Sequence, residues 1–469
     1  MQDDRRLDCV LKGGYVVFRD RVQAADVGIK DGTIAEIGDD LRTPAQHTID
    51  ATGLYVMPGV VDAHVHLNEP GRGDWEGFAS GSAALAAGGC TTFLDMPLNG
   101  RPPTVHANAL ERKLEAAKAS GAYVDYGLWG GLVPDNLDEV EALAAAGVVG
   151  FKALMASPGD AGEGGFKEVD DVALFEGMKR IAGINKVLAV HAESEEIISA
   201  LSGKYARRSP RGMRDYAATR PIAAEIDAAR RALLFAERTD CPLHLVHVSS
   251  PQAVDIAWEA KMNGVNVTVE TNPHYLLFTD ADAERLGPAA KCAPPIRGAR
   301  EREGLWARLA EGKIDLIASD HSPCPPALKA AGGDYFAAWS GIAGGQSMLE
   351  ILFDEGFLKR GLPLPLLSRL LTEAPAKRFG MYPRKGRLAV GADADLVLVH
   401  PDAPYVLRSG QLLYRHRHSA YEGHRFRCRV MLTMSRGKPV YAWDEGVAAA
   451  KEGEWLRAAP ERARNRLIL

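Results

Sequence analysis

Short apolar runs separated by segments of helix length repeat along most of this chain. The runs are VVDAHVH (60–66), TTFLDM (91–96), YVDYGLW (123–129), VVGFKAL (148–154), VLAVH (187–191), LHLVH (243–247), VNVTVE (265–270) and IDLIAS (314–319). Runs this short read as buried strands, and the stretches between them carry helical spacing. Trp75–Ala87, Ala107–Ser120, Leu137–Ala146, Ile222–Arg238 and Pro251–Met262 are the clearest helices, the last with Ser250 as N-cap and proline at its first position. Eight strand-then-helix units predict an α/β fold, a TIM-type (β/α)8 barrel, which takes about 250 residues plus insertions. The span 58–380 accommodates it. Residues 1–57 alternate apolar with polar positions and break at Gly and Asp, and the same period returns over 381–445. These two segments are expected to form one small β-sandwich from both ends of the chain. The remaining tail, 446–469, carries mixed charges at helical spacing and is expected to be a solvated or packing helix.

Composition narrows the function more than the fold. With 469 residues the chain can bury a large interior, and 46% apolar and 25% charged residues are ordinary for a globular protein. A formal charge of -5 argues against nucleic acid or an anionic membrane as partner. MQDDRRLDCV lacks the apolar core of a secretion signal, and no run approaches the ~18 apolar residues of a membrane span. A cytoplasmic protein is expected. Six scattered cysteines without a CxxC pair suggest reduced thiols. GIAGGQ (341–346) does not follow a strand in the manner of a dinucleotide loop.

In a barrel of this type the chemistry sits at the C-terminal ends of the strands. Strand one ends in His64 and His66, which share a face with Asp62 because strand side chains alternate. Strand four ends in Lys152, strand five in His191, strand six in His247 and strand eight in Asp320. His244, three residues before His247, falls on the opposite face and is assigned a structural role; His274 and His321 are not assigned to metal. Four imidazoles and a carboxylate suit zinc first, with manganese, cobalt or iron as alternatives, and disfavour calcium and magnesium. Six ligands exceed one tetrahedral shell and match two ions sharing a bridge. Asp320 and a hydroxide offset only part of the charge of two dications, so a further anionic bridge is required. Lys152 supplies one if carbon dioxide converts it to N6-carboxylysine. A hydroxide held by two metals is a nucleophile at neutral pH, and Asp320 can act as general base and then as general acid toward a departing nitrogen. That is hydrolysis of an amide-like bond.

DAHVHLNEPG, GVVGFKALM, AVHAE, HLVHVSSP and SDHSPCPP together resemble the cyclic amidohydrolases, the group of dihydroorotase, hydantoinase, dihydropyrimidinase and allantoinase. The resemblance spans nearly the whole chain, including the split sandwich. It implies that His64, His66, Lys152, His191, His247 and Asp320 are the ligands of a binuclear centre, with the lysine carboxylated. Dihydroorotases usually carry arginine where this chain has Asn68 and a further histidine near Cys324; both departures disfavour a carboxylate-bearing substrate. EPGRxxWEGF, DMPLN, SDHSPCPP, GIAGGQ and LLYRHRHS (412–419) are most similar to the bacterial allantoinase branch. That branch implies hydrolysis of the hydantoin ring of allantoin to allantoate, in allantoin degradation. It also implies substrate contacts near Asn99, Cys292 and Ser340, and a homotetramer. The alternatives are hydantoinase or dihydropyrimidinase activity and, from a different class, a non-catalytic scaffold that has lost its metal site.

Overall fold

The computed structural model describes residues 6–159, 164–206, 211–330 and 334–458. The apolar runs become parallel strands at Val60–Val65, Cys90–Asp95, Asp125–Leu128, Phe151–Leu154, Leu188–His191, Leu243–Leu245, Val267–Thr271 and Leu316–Ile317. Their near-continuous hydrophobicity follows from burial on both faces, by side chains inside the ring and helices outside it. Hydrogen bonding forms a three-stranded arc and a six-stranded arc, the ninth strand being the short Gly130–Gly131, which continues strand three into the second arc. They meet where the Trp129 N–H donates to the Asp95 carbonyl at 3.0 Å and the Gly130 N–H to the Gly150 carbonyl at 2.9 Å. Closure occurs where the His66 N–H donates to the His321 carbonyl at 2.8 Å. The Asp62 carboxylate reinforces that seam by accepting from the Ser319 N–H at 3.0 Å. The result is a (β/α)8 barrel.

Helix boundaries follow the local chemistry. The Ser250 hydroxyl accepts from the Ala253 N–H at 3.4 Å, and Pro251 opens the helix Pro251–Met262. The helix expected from Trp75 starts only at Phe78, because Gly77 takes φ 91°, outside the helical region. The stretch expected as one helix from Leu137 divides into a 3-10 turn, Leu137–Glu139, and the helix Val140–Ala146. Ile222–Thr239 buries Ala224, Ala228, Ala232 and Ala236 against the barrel, a stripe of small side chains that permits close approach.

The two chain ends form a small β domain. Its nine strands make one continuous sheet in which Tyr55–Pro58 pairs antiparallel with Leu396–His400, joining the N-terminal to the C-terminal segment. Leu11, Val27, Ile34, Val56, Leu396 and Met434 build a core of its own. Gly59 then leads into the barrel: a Cβ there would lie 2.2 Å from the Thr91 hydroxyl oxygen, so only glycine passes. A buried ion cluster locks the two parts together, with Lys385 Nζ 2.6 Å from Asp125 of barrel strand three and 2.8 Å from Asp395. The tail departs from expectation. Residues 451–458 are not helical but run against strand three, where the Tyr126 N–H donates to the Glu454 carbonyl at 2.9 Å. Barrel-edge hydrogen bonds satisfy this backbone better than a short solvated helix could. Residues 459–469 of the expected helix lie outside the described residues.

Asp26 ties the β domain internally. Its carboxylate accepts from Lys12 Nζ at 2.8 Å and from the Gly13 and Leu41 N–H groups, each at 2.9 Å. Burial pushes this carboxyl up, but Lys12 and the two backbone donors outweigh it and hold it below the usual aspartate value. A depressed carboxylate contributes stability above its unfolded value, and the contribution disappears as pH falls through the folded value. Asp26→Asn is therefore expected to cost about 1–3 kcal/mol near neutral pH. Urea midpoints should show this difference shrinking toward about pH 3, the lower end of aspartate titration.

Candidate metal centre

The barrel mouth is built from the strand ends. His64 and His66 rise from strand one with ring centroids 5.3 Å apart. The Asp320 Oδ1 atom comes over from strand eight to 3.3 Å from His64 Nε2 and 3.4 Å from His66 Nε2. These three side chains offer donor atoms all within 4.8 Å of one another. A second group stands beside them. His191 Nδ1 faces His247 Nε2 at 2.9 Å, and the ring centroid of His247 lies 5.5 Å from that of His64. Lys152 reaches the same cavity from strand four, 1% exposed, with no hydrogen-bond partner for its Nζ. The six strand-end side chains thus line one cavity, which opens to solvent. Local backbone is bent to reach it: His247 takes φ 40° and Asp320 φ 48°, in the left-handed region where non-glycine residues are uncommon.

The electrostatics suit cation binding. Burial lowers the pKa of His66, His191 and His247, the last furthest, so the imidazoles present lone pairs. Burial works the other way on Asp320, but His64 and the hydrogen bond to His66 outweigh it and keep the carboxyl below its ordinary value. Burial brings Lys152 down to about 8 against the attraction of Glu270 and Asp320. A buried amine without a partner is costly unless something else satisfies it. The unpartnered Lys152 Nζ, the clustered acceptors and the neutral rings together fit divalent metal.

Residues around this set fix its orientation. Glu270, at the end of strand seven, accepts from His64 Nδ1 at 2.8 Å and from the His247 backbone N–H at 3.0 Å. Its other oxygen lies 3.2 Å from His244 Nε2, while His244 Nδ1 meets Thr268 Oγ1 at 2.8 Å. Glu193 lies 2.9 Å from His191 Nε2 and is itself gripped by Arg220 Nη1 at 2.5 Å. A carboxylate on the far nitrogen of His64 and of His191 sets the tautomer that directs the near lone pair of each inward. Sequence reasoning missed Glu270, Glu193 and Arg220. The signal for Glu270 was available, since the apolar run 265–270 ends on it. Glu193 stood two residues past His191, whereas nothing in the sequence pairs it with Arg220.

The expected substrate contacts divide. Asn99 and Ser340 line the cavity, together with Ser157, Ser322, Gly341 and Arg220. Cys292 does not. Its thiol donates to the Pro294 carbonyl at 3.2 Å, packed in the core and 2% exposed. Asn68 is also turned away, its Nδ2 donating to the Pro323 carbonyl at 3.3 Å. His274 is fully enclosed outside the cavity lining, and His321 Nδ1 accepts from the Gly344 N–H at 3.2 Å.

Comparison with known proteins places the whole arrangement. Allantoinase of Rubrobacter xylanophilus is 48% identical over 455 residues, covering 97% of this chain and 98% of that protein. Allantoinase of Deinococcus radiodurans is 48% identical over 435 residues, covering 93% and 95%. Among solved structures, L-hydantoinase (dihydropyrimidinase) from Arthrobacter aurescens superposes with a TM-score of 0.92 at 38% identity, covering 96% and 99%. Dihydropyrimidinase from Brevibacillus agri follows at a TM-score of 0.89 and 29% identity, covering 97% and 99%. With the amidohydrolase family model matching residues 55–440, from the end of the first β segment through the barrel into the second, this chain belongs to the amidohydrolase family.

Proposed function

We propose that this chain is an allantoinase, opening the hydantoin ring amide of allantoin to give allantoate in allantoin degradation. The observation that carries the reading is the 48% identity to allantoinases over nearly the full length of both chains. The cavity supports it chemically. Beyond the strand-end set, the described lining residues offer the polar side chains of Asn99, Ser157, Ser322 and Ser340, and the further cation among them, Arg220, is paired with Glu193. Hydroxyls and amides suit a small, neutral, polar ring, whereas a carboxylate would need an unpaired cation.

Two divalent ions, zinc first, belong to this reading: His64, His66, His191, His247 and Asp320 would hold them, together with Lys152 as N6-carboxylysine. Bound there, such ions supply Lewis acidity and a source of hydroxide at neutral pH. The protein's own part is positioning and proton transfer. Glu270 and Glu193 hold His64 and His191 with their inner nitrogens free of protons. The Asp320 carboxylate takes the proton released during attack on the ring carbonyl and delivers it to the departing ring nitrogen. Asn99 and Ser340 orient the ring carbonyls. A cytoplasmic homotetramer completes the proposal; no helix among the described residues is long and apolar enough to cross a membrane, and light scattering checks the assembly.

The resemblance to hydantoinase structures favours a second reading, the same chemistry on hydantoin or dihydrouracil. Steady-state hydrolysis of allantoin, hydantoin, dihydrouracil and dihydroorotate, with metal content measured in parallel, separates the two. Turnover of allantoin at the highest kcat/KM is expected, and preference for hydantoin or dihydrouracil overturns the substrate assignment. Absence of metal after supplementation with zinc and bicarbonate overturns the centre itself and returns the scaffold reading.

A further inference from the structure

One wall of the cavity, formed by Trp339, Ser340 and Gly341, belongs to no strand or helix. Such a segment needs its carbonyls satisfied by something other than a ladder. Two buried lysines do this. Lys291 Nζ donates to the carbonyls of Phe336 at 2.9 Å and Ala338 at 2.6 Å. Lys329 Nζ donates to the carbonyls of Trp339 at 2.9 Å and Gly341 at 2.5 Å. The two supports are joined, because the Gly341 N–H donates to the Lys291 carbonyl at 2.8 Å. Lys291 also sits 4.7 Å above the Tyr216 ring, whose hydroxyl lies 3.5 Å from Ser340 Oγ.

Neither ammonium has a carboxylate within ion-pair distance among the described residues, although both are more than nine-tenths buried. Burial, with repulsion from Lys329, Arg220 and Arg211 and some relief from Asp334, brings Lys291 down to about 7. Burial brings Lys329 to about 8. Two desolvated cations spent on backbone carbonyls are expensive as stability devices. Their geometry points instead to the shape of the cavity.

We propose that Lys291 and Lys329 are positioning residues that clamp the 336–341 segment by its carbonyls and thereby fix the substrate-facing wall carrying Ser340 and Gly341. They touch no reacting atom, so their loss should weaken ring binding more than it slows the chemical step. The inference rests on the reading of this cavity as the substrate site. Its first readout does not: hydrogen exchange of the unaltered protein should find the Gly341 amide, bonded to Lys291, protected far above an open loop.

In Lys291→Met, exchange across 336–341 is expected to accelerate, and KM for the best substrate of the panel to rise about tenfold or more, as loss of charged hydrogen bonds implies. The kcat value should change less than about threefold and metal content not at all. Lys291→Arg, which keeps the charge, should recover part of KM. If Lys291→Met does not fold, Lys329→Met removes the other pair of bonds and is read in the same way. Unchanged exchange in the variants, or an unprotected Gly341 amide in the unaltered protein, overturns the clamp. Faster exchange with unchanged KM overturns its link to substrate binding, and failure of every panel substrate would count against the functional reading while leaving the exchange result interpretable.

Discussion

Lys152→Ala is expected to lose bound metal and hydrolytic activity together, with kcat/KM falling by more than about 100-fold. Removing a partner that merely orients a ligand costs about 10- to 100-fold, so removing the proposed bridging ligand itself should exceed that range. The residue's surroundings support the proposed carbamate over an ammonium. Its Nζ is buried, has no hydrogen-bond partner and is pushed by burial down to about 8, within reach of a neutral, nucleophilic amine. Carboxylation would exchange an unsatisfied cation for an anion in the cavity that His191 and His247 also line. Alanine at this position removes a buried charge, so thermal stability of the metal-free protein should be little changed, which keeps the loss of activity from being a folding defect. Addition of a short carboxylic acid to Lys152→Ala should restore part of both metal content and rate. Full activity with metal retained would falsify the bridging role.

Glu270→Gln should produce the next largest effect. The wild-type carboxylate is wholly buried and accepts three hydrogen bonds, from His64 Nδ1, His244 Nε2 and the His247 N–H. Burial alone would raise its pKa, but His64 and His244 outweigh burial and hold the carboxyl well below the usual glutamate value. Glutamine keeps the volume but places an NH2 group where only an acceptor fits. If that group faces His64, Nδ1 must become the acceptor and the proton moves to Nε2, the atom that points to Asp320. An imidazole protonated on its inner nitrogen cannot ligate a metal. Metal affinity is therefore expected to fall about 10- to 100-fold, read by competition with a chelator. The metal-free protein should also lose about 1–3 kcal/mol, because a buried donor is left unpaired. Unchanged metal affinity would show that His64 is oriented by other contacts.

These two residues differ in how far they could be read from the chain. The position of Lys152 at the barrel mouth was legible because it falls at the end of a run with strand character, as His191, His247 and Asp320 do. Glu270 ends such a run as well, yet its role depends on reaching His64, 206 positions away in sequence. The same distinction separates Ser340, which lines the cavity, from Cys292, whose thiol packs into the core.

The alternation of strand and helix, the β character of both ends and the residue types at the strand ends could all be read from the chain. These are local properties: alternation of side chains along a strand fixes which face a residue takes, and a barrel sends every strand end to one mouth. The partners that hold those residues in place emerge with the folded barrel. Carboxylates behind His64 and His191, lysines beneath the 336–341 wall, and the tail laid along strand three all depend on contacts between segments distant in sequence. No local period encodes such contacts, because each is selected by the burial and hydrogen-bond satisfaction of groups that meet only once the barrel has closed.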